Sequence, residues 1–149
     1  MLTTAQIDLI QSSFAAAMAN RDDLITDFYR SLFARDPALR GMFSSDITAQ
    51  SKMLASALHM AVRKLDDLET LIEPLHVLGA KHAGYGATPA HYALVTEVLI
   101  DCLERAVGPK WTDAHAQAWM YALILIARTM VEGAKQTRSE AEHTSSPNA

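Results

Sequence analysis

The stretch LGAKHAGYGATPAHYALV, residues 78–95, decides the fold of this chain. Its first half ends a helical pattern, in which an apolar line of Leu71, Leu75 and Leu78 leads to His82. Gly84 and Gly86 then close that helix, because glycine readily takes the backbone conformations in which helices end. Thr88-Pro89 opens another, the threonine as N-cap and the proline at the first helical position, where its missing N–H costs nothing. The stretch is therefore helix, short turn, helix, with one histidine on the last turn before the break. By pattern alone, such a histidine is most often an ordinary half-buried residue.

The same punctuation recurs outward in both directions. Toward the N-terminus, the capping box Thr3-x-x-Gln6 starts a helix with Ile7, Ile10, Phe14 and Met18 on one face. A second helix follows Asn20, stacks Ile25, Tyr29 and Phe33, and is broken at Asp36-Pro37. Pro37 begins a short helix to about Phe43, and the polar stretch from Ser44 to Thr48 ends it. A long helix from about Ala49 to Leu65 then carries Gln50, Leu54 and Leu58 on one line. The helix bearing His82 runs from about Leu68 to Ala83. Beyond the opening stretch, Gly108-Pro109 stops the next helix near Val107, and Thr112 caps a last one running to about Lys135. No strand-like alternation of useful length occurs, so the fold class is all-α, with about seven helices.

The chain has 149 residues, half of them apolar and one-fifth charged, which fits one globular domain with a sizeable core. Its formal charge of -4, with scattered Lys and Arg, gives no footprint for nucleic acid. The single cysteine, Cys102, sits in an apolar stretch as a small buried filler and leaves no internal disulfide, so a cytoplasmic location is expected. The start lacks the pattern of a secretory signal, and the longest apolar run, from Trp119 to Ala127, is about half the roughly 20 residues of a membrane span. The end of the chain is small, polar and charged, so the expected division is a globular domain over 1–137 and a disordered tail over 138–149.

Six histidines invite a metal reading, but none are paired at i, i+4, and His76 and His82 point to different sides of their helix. The motifs of nucleophilic hydrolases and of nucleotide-binding loops are absent. Instead the chain resembles the single-domain globins of bacteria and the globin half of flavohaemoglobins, over about Ile7 to Lys135. The segments that carry the resemblance are FYRSLFARDPALRGMF (28–43), QSKML (50–54), the opening stretch with its Lys81-His82 pair and Tyr92, and YALILIARTMVE (121–132).

The resemblance implies a globin fold around a haem pocket, with a short or absent helix between the Phe43 turn and the distal helix. It implies haem b as cofactor and His82 as the iron's axial ligand, since a five-coordinate haem needs one neutral imidazole and an open position opposite. Phe43, Leu54, Leu78, Lys81, His82 and Tyr92 are the implied haem contacts. Tyr29 and Gln50 match the family's distal donors to bound oxygen, and Leu54 its apolar gate. Tyr92 and Glu132 match a pair that would hold the other nitrogen of His82 and make the imidazole more electron-donating.

These positions imply a protein that binds O2, NO and CO and, given electrons, turns NO and O2 into nitrate. The reductase domain of flavohaemoglobins is not expected in this chain, so an external electron-donating reductase is the expected partner, without nucleic acid or membrane. The protein is expected to be a monomer or homodimer. The alternatives are pure O2 binding and delivery, or a haem-free globin-fold interaction or sensor module, which the presence of His82 disfavours.

Overall fold

The computed structural model describes residues 2–19, 21–43 and 46–145. Among them the chain forms α1 (Thr4–Met18), α2 (Arg21–Arg35), a 3-10 segment (Pro37–Met42), α3 (Ile47–Arg63), α4 (Glu69–Gly84), α5 (Pro89–Val107), a second 3-10 segment (Gly108–Lys110) and α6 (Asp113–Ser145). No described residue is in a strand. No helix among the described residues is long and apolar enough to cross a membrane.

The ends of the helices are where the local chemistry puts them. Thr3 and Gln6 form the reciprocal capping box of α1, and Thr88 caps α5 by accepting from the His91 N–H. There the Thr88 N–H donates to His91 Nδ1 at 3.0 Å, so histidine takes the place usually held by glutamate or glutamine. Gly108 ends α5 with φ 77°, a conformation that suits glycine. Asp46 caps α3 by accepting from the Ala49 N–H at 3.1 Å, which starts the helix at Ile47, two residues before the expected position. The expected short link holds, because only Ser44 and Ser45 separate Phe43 from that cap.

α6 departs from expectation. Its backbone stays helical to Ser145, past the end near Lys135 that the sequence reading gives it. Between Gly133 and Pro147 no glycine or proline interrupts the chain, and Gln136, Arg138, Glu140, Ala141 and Glu142 are good helix formers. Residues 146–149 lie outside the described ones.

The main core joins α1, α2, α5 and α6, with Ile10, Leu32, Val98, Leu103 and Trp119 all but fully buried. Trp119 donates from Nε1 to Ser13 Oγ at 2.9 Å, so its one polar atom is satisfied inside the apolar interior. Cys102 is buried there as expected, and its thiol is pushed up to about 11, first by burial and then by the charge of Asp27. It stays a protonated, unreactive filler at neutral pH.

α4 is positioned separately, by a close crossing with α6. A Cβ on Gly79 would fall 1.8 Å from the Met130 carbonyl oxygen, and one on Gly133 would fall 2.2 Å from the Cα of His76. The two backbones touch, and only glycine fits at either point. Leu71, Leu75 and Met130 form a small second core beside this crossing.

Candidate functional site

His82 lies on the last turn of α4, half-buried, with Nδ1 2.8 Å from the Leu78 carbonyl oxygen. A carbonyl can only accept, so Nδ1 carries the proton and Nε2 is left with a free lone pair. Tyr92, near the start of α5, packs beside the imidazole with ring centroids 6.2 Å apart and planes inclined by 32°. Burial raises the hydroxyl pKa of Tyr92 above its ordinary value. One residue thus holds the ring of His82 from behind, and another braces it from the side.

Between α3 and α4 lies a cavity of about 750 Å³. Ala57 and Met60 line it from α3, and Val77, Leu78 and Lys81 line it from α4, with Glu69 and Glu73 toward one end. Leu78, Lys81 and His82 stand at i, i+3 and i+4, so they share one face of α4. Gln50, Leu54 and Ala57 stand at i, i+4 and i+7, and likewise share one face of α3. Of the sequence-predicted residues on these two helices, Leu78 and Lys81 line the cavity, while His82, Gln50 and Leu54 share a helix face with lining residues.

Tyr29 is buried on α2, and its hydroxyl donates to the backbone oxygen of Gln50 at 3.4 Å, a long bond. Its ring stacks on Phe33 with centroids 5.8 Å apart and meets Phe28 and Phe43 edge-on. Burial pushes the Tyr29 hydroxyl up to about 12, so it remains a donor at every physiological pH. Gln50 and Leu54 are half-buried, and Leu54 and Phe43 pack against the main core. Tyr29, Phe43 and Gln50 are thus brought together where α2 meets α3.

Glu132 stands apart from this group. It is exposed on α6, and among the described residues it makes no hydrogen bond to His82 or Tyr92. The reason is helical phase: Met130 and Gly133 meet α4, and Glu132 is turned about 100° from Gly133 and about 200° from Met130. The acceptor behind His82 is the Leu78 carbonyl, which no side-chain pattern announces. Gly133, next to Glu132, was the readable signal, because a glycine inside a helix often marks the side that another backbone approaches. If His82 ligates a haem iron, Glu132→Gln is therefore expected to leave the iron–imidazole stretching frequency unchanged in resonance Raman spectra. A shift of several wavenumbers would place the carboxylate back in contact with the histidine.

The residues present fit a haem. A largely apolar slot of the volume that a cofactor needs opens between α3 and α4, and His82, its Nε2 unbonded, directly follows the slot-lining Lys81 on α4. Among the described residues no three His, Cys, Asp or Glu side chains gather to hold a metal ion directly. His82 offers one imidazole nitrogen, Nε2, that is not engaged by the Leu78 carbonyl.

Comparison with known proteins agrees with this geometry. A flavohemoprotein of Bacillus cereus is 27% identical over 146 residues, which cover 96% of this chain and 36% of that protein. The chain thus spans about a third of the length of such relatives. Neuroglobin of Danio rerio is 32% identical over 137 residues, covering 81% of this chain and 86% of that one. Among solved structures, an engineered carbene transferase built on a candidate nitric oxide dioxygenase of Rhodothermus marinus superposes with a TM-score of 0.83 at 28% identity, covering 95% of this chain and 99% of that one. The family model described as globin matches residues 26–130, a span that contains Tyr29, the α3–α4 slot and His82, and the chain accordingly belongs to the globin family.

Proposed function

We propose that the chain holds haem b with His82 as its axial ligand, binds O2, NO and CO reversibly on the opposite side, and converts NO and O2 to nitrate when a reductase supplies electrons. The observation that carries this reading is the bond between His82 Nδ1 and the Leu78 carbonyl, which leaves Nε2 free to coordinate beside an apolar slot. The likeness to flavohemoproteins and to a candidate nitric oxide dioxygenase supports the second half of it. Bound haem supplies the iron at which these gases bind and react.

The chain's own residues then divide the work. Leu78 and Tyr92 fix the tautomer and tilt of His82. Tyr29 turns its hydroxyl from the Gln50 carbonyl toward a polar ligand, and the Gln50 amide adds a second donor from α3. Leu54 and Phe43, packed against the main core beside Gln50 and Tyr29, keep water from the bound gas.

One observation favours binding alone. A carbonyl behind His82 is a neutral acceptor and draws less electron density onto the ring than a carboxylate, which weakens the drive for oxygen chemistry. NO consumption by the reduced, haem-loaded protein in aerated buffer decides between the two. A rate well above that of free haem is expected from a dioxygenase, and a rate equal to free haem leaves only gas binding.

A further inference from the structure

The outward face of α6 carries large apolar side chains where an amphipathic helix of this kind carries charge. The inward face is regular, with Ala118, Trp119, Ala122, Leu123 and Met130 buried. On the opposite side Met120, Tyr121 and Ile124 are 38%, 44% and 44% exposed. Asp113, Gln117 and Arg128 are exposed as well, and helical phase places all six on one stripe about 100° wide. The three at its centre are large and apolar, Gln117 beside them is polar but uncharged, and the two at its ends carry opposite charge.

That order is self-complementary. If a second copy of α6 is laid antiparallel across the first, with a twofold axis between Met120 and Tyr121, then Met120 faces the copy's Tyr121 and Gln117 faces the copy's Ile124. The methylenes of Gln117 cover the isoleucine while its amide stays hydrated at the edge of so narrow a contact. Asp113 at one end meets the copy's Arg128 at the other, and the twofold repeats the pairing. Neither Asp113 nor Arg128 enters an ion pair among the described residues. A stripe whose reversed order sets apolar bulk on apolar bulk and acid on base is what an isologous contact requires, since the same patch must recognise itself. We infer that the outer face of α6, from Asp113 to Arg128, is a homodimer contact in which two copies of this helix pair antiparallel.

The contact is small. The stripe is about 22 Å long at ~1.5 Å rise per residue. A single helix pair of that length falls short of the roughly 1,200 Å² of a stable interface. A dissociation constant on the order of 100 µM is therefore expected, with the end charges setting orientation and the apolar centre giving most of the affinity.

Sedimentation equilibrium of the full, haem-loaded chain between low micromolar and millimolar concentration tests this directly. The unaltered chain should pass from monomer to dimer, and Met120→Glu should weaken the dimer at least about tenfold, because it sets two like charges side by side at the twofold axis. Asp113→Arg and Arg128→Asp should each weaken it about three- to tenfold, and the double exchange should restore it, because each arginine again meets an aspartate of the other copy. The charge variants alter only exposed residues, so they carry the test even where Met120→Glu folds poorly. A chain that stays monomeric at millimolar concentration, or a double exchange no tighter than the single ones, overturns the proposal. Its failure leaves the haem reading untouched, since that reading involves none of these six side chains.

Discussion

His82→Ala is expected to yield a folded helical protein that no longer retains haem through purification. On the proposed reading His82 is the one coordinate bond from the chain to the iron, and the slot otherwise offers apolar contact from Ala57, Met60, Val77 and Leu78 beside the polar side chains of Glu69, Thr70, Glu73 and Lys81. Changes that merely disturb a ligand's supporting hydrogen bonds lower metal affinity by about 10–100-fold. Removing the ligand itself is therefore expected to speed haem loss by more than about a hundredfold, read as transfer to an excess of an apo-globin scavenger. The fold should survive, because His82 is half-buried at the end of α4 and the crossing that anchors α4 involves Gly79 and Gly133. Added imidazole should fill the vacated position and bring back part of the absorption band. A variant that keeps its haem with an unaltered spectrum would show that another side chain holds the iron.

Tyr29→Phe is expected to keep the haem and release O2 about ten- to a hundredfold faster. The estimate follows from a hydrogen bond to a partly charged acceptor, worth roughly 1.5–3 kcal/mol. Stability should change little, for two reasons. The ring keeps its contacts with Phe28, Phe33 and Phe43, and the bond given up, to the Gln50 carbonyl, is 3.4 Å long. CO is a poor acceptor, so its release should hardly respond, and the ratio between the two gases separates a lost hydrogen bond from a general loosening. Because burial pushes the hydroxyl up to about 12, the difference between the two proteins should persist across neutral and mildly alkaline pH and shrink only as pH rises toward that value. O2 release that does not change would mean that the hydroxyl stays on the Gln50 carbonyl when the ligand is present.

Much of the fold was legible because its signals are local. Thr3 with Gln6, Asp36-Pro37, Thr88-Pro89 and Gly108 each act within one turn of helix, and the structure places a helix end at each. The short link before α3 was legible for the same reason, as a matter of chain length. Of the candidate site, the sequence shows which residues share one helix face: Leu78, Lys81 and His82 on α4, and Gln50 and Leu54 on α3. What crosses between helices was not. Glu132 matched by residue type, yet its phase relative to α4 is set by where Met130 and Gly133 touch that helix, which depends on tertiary packing. The acceptor behind His82 is a backbone atom, and every residue in the chain has one. The extension of α6 to Ser145 was missed because a polar composition was weighed as lack of core, when a helix needs only good formers and no interruption.

The crossing at Gly79 and Gly133 also makes the two walls of the slot unequal. α4 is seated backbone-to-backbone on the longest helix of the molecule, whereas α3 rests chiefly on α1 and α2 and barely meets α4. The slot works like a vice with one jaw bolted down. Whatever opens it moves α3 and leaves α4 with His82 in place, because the lowest-energy openings are drawn from the least-packed element. On the proposed reading, entry and escape of small molecules are then paced by fluctuations of α3, while the bond from His82 to the iron is shielded from them.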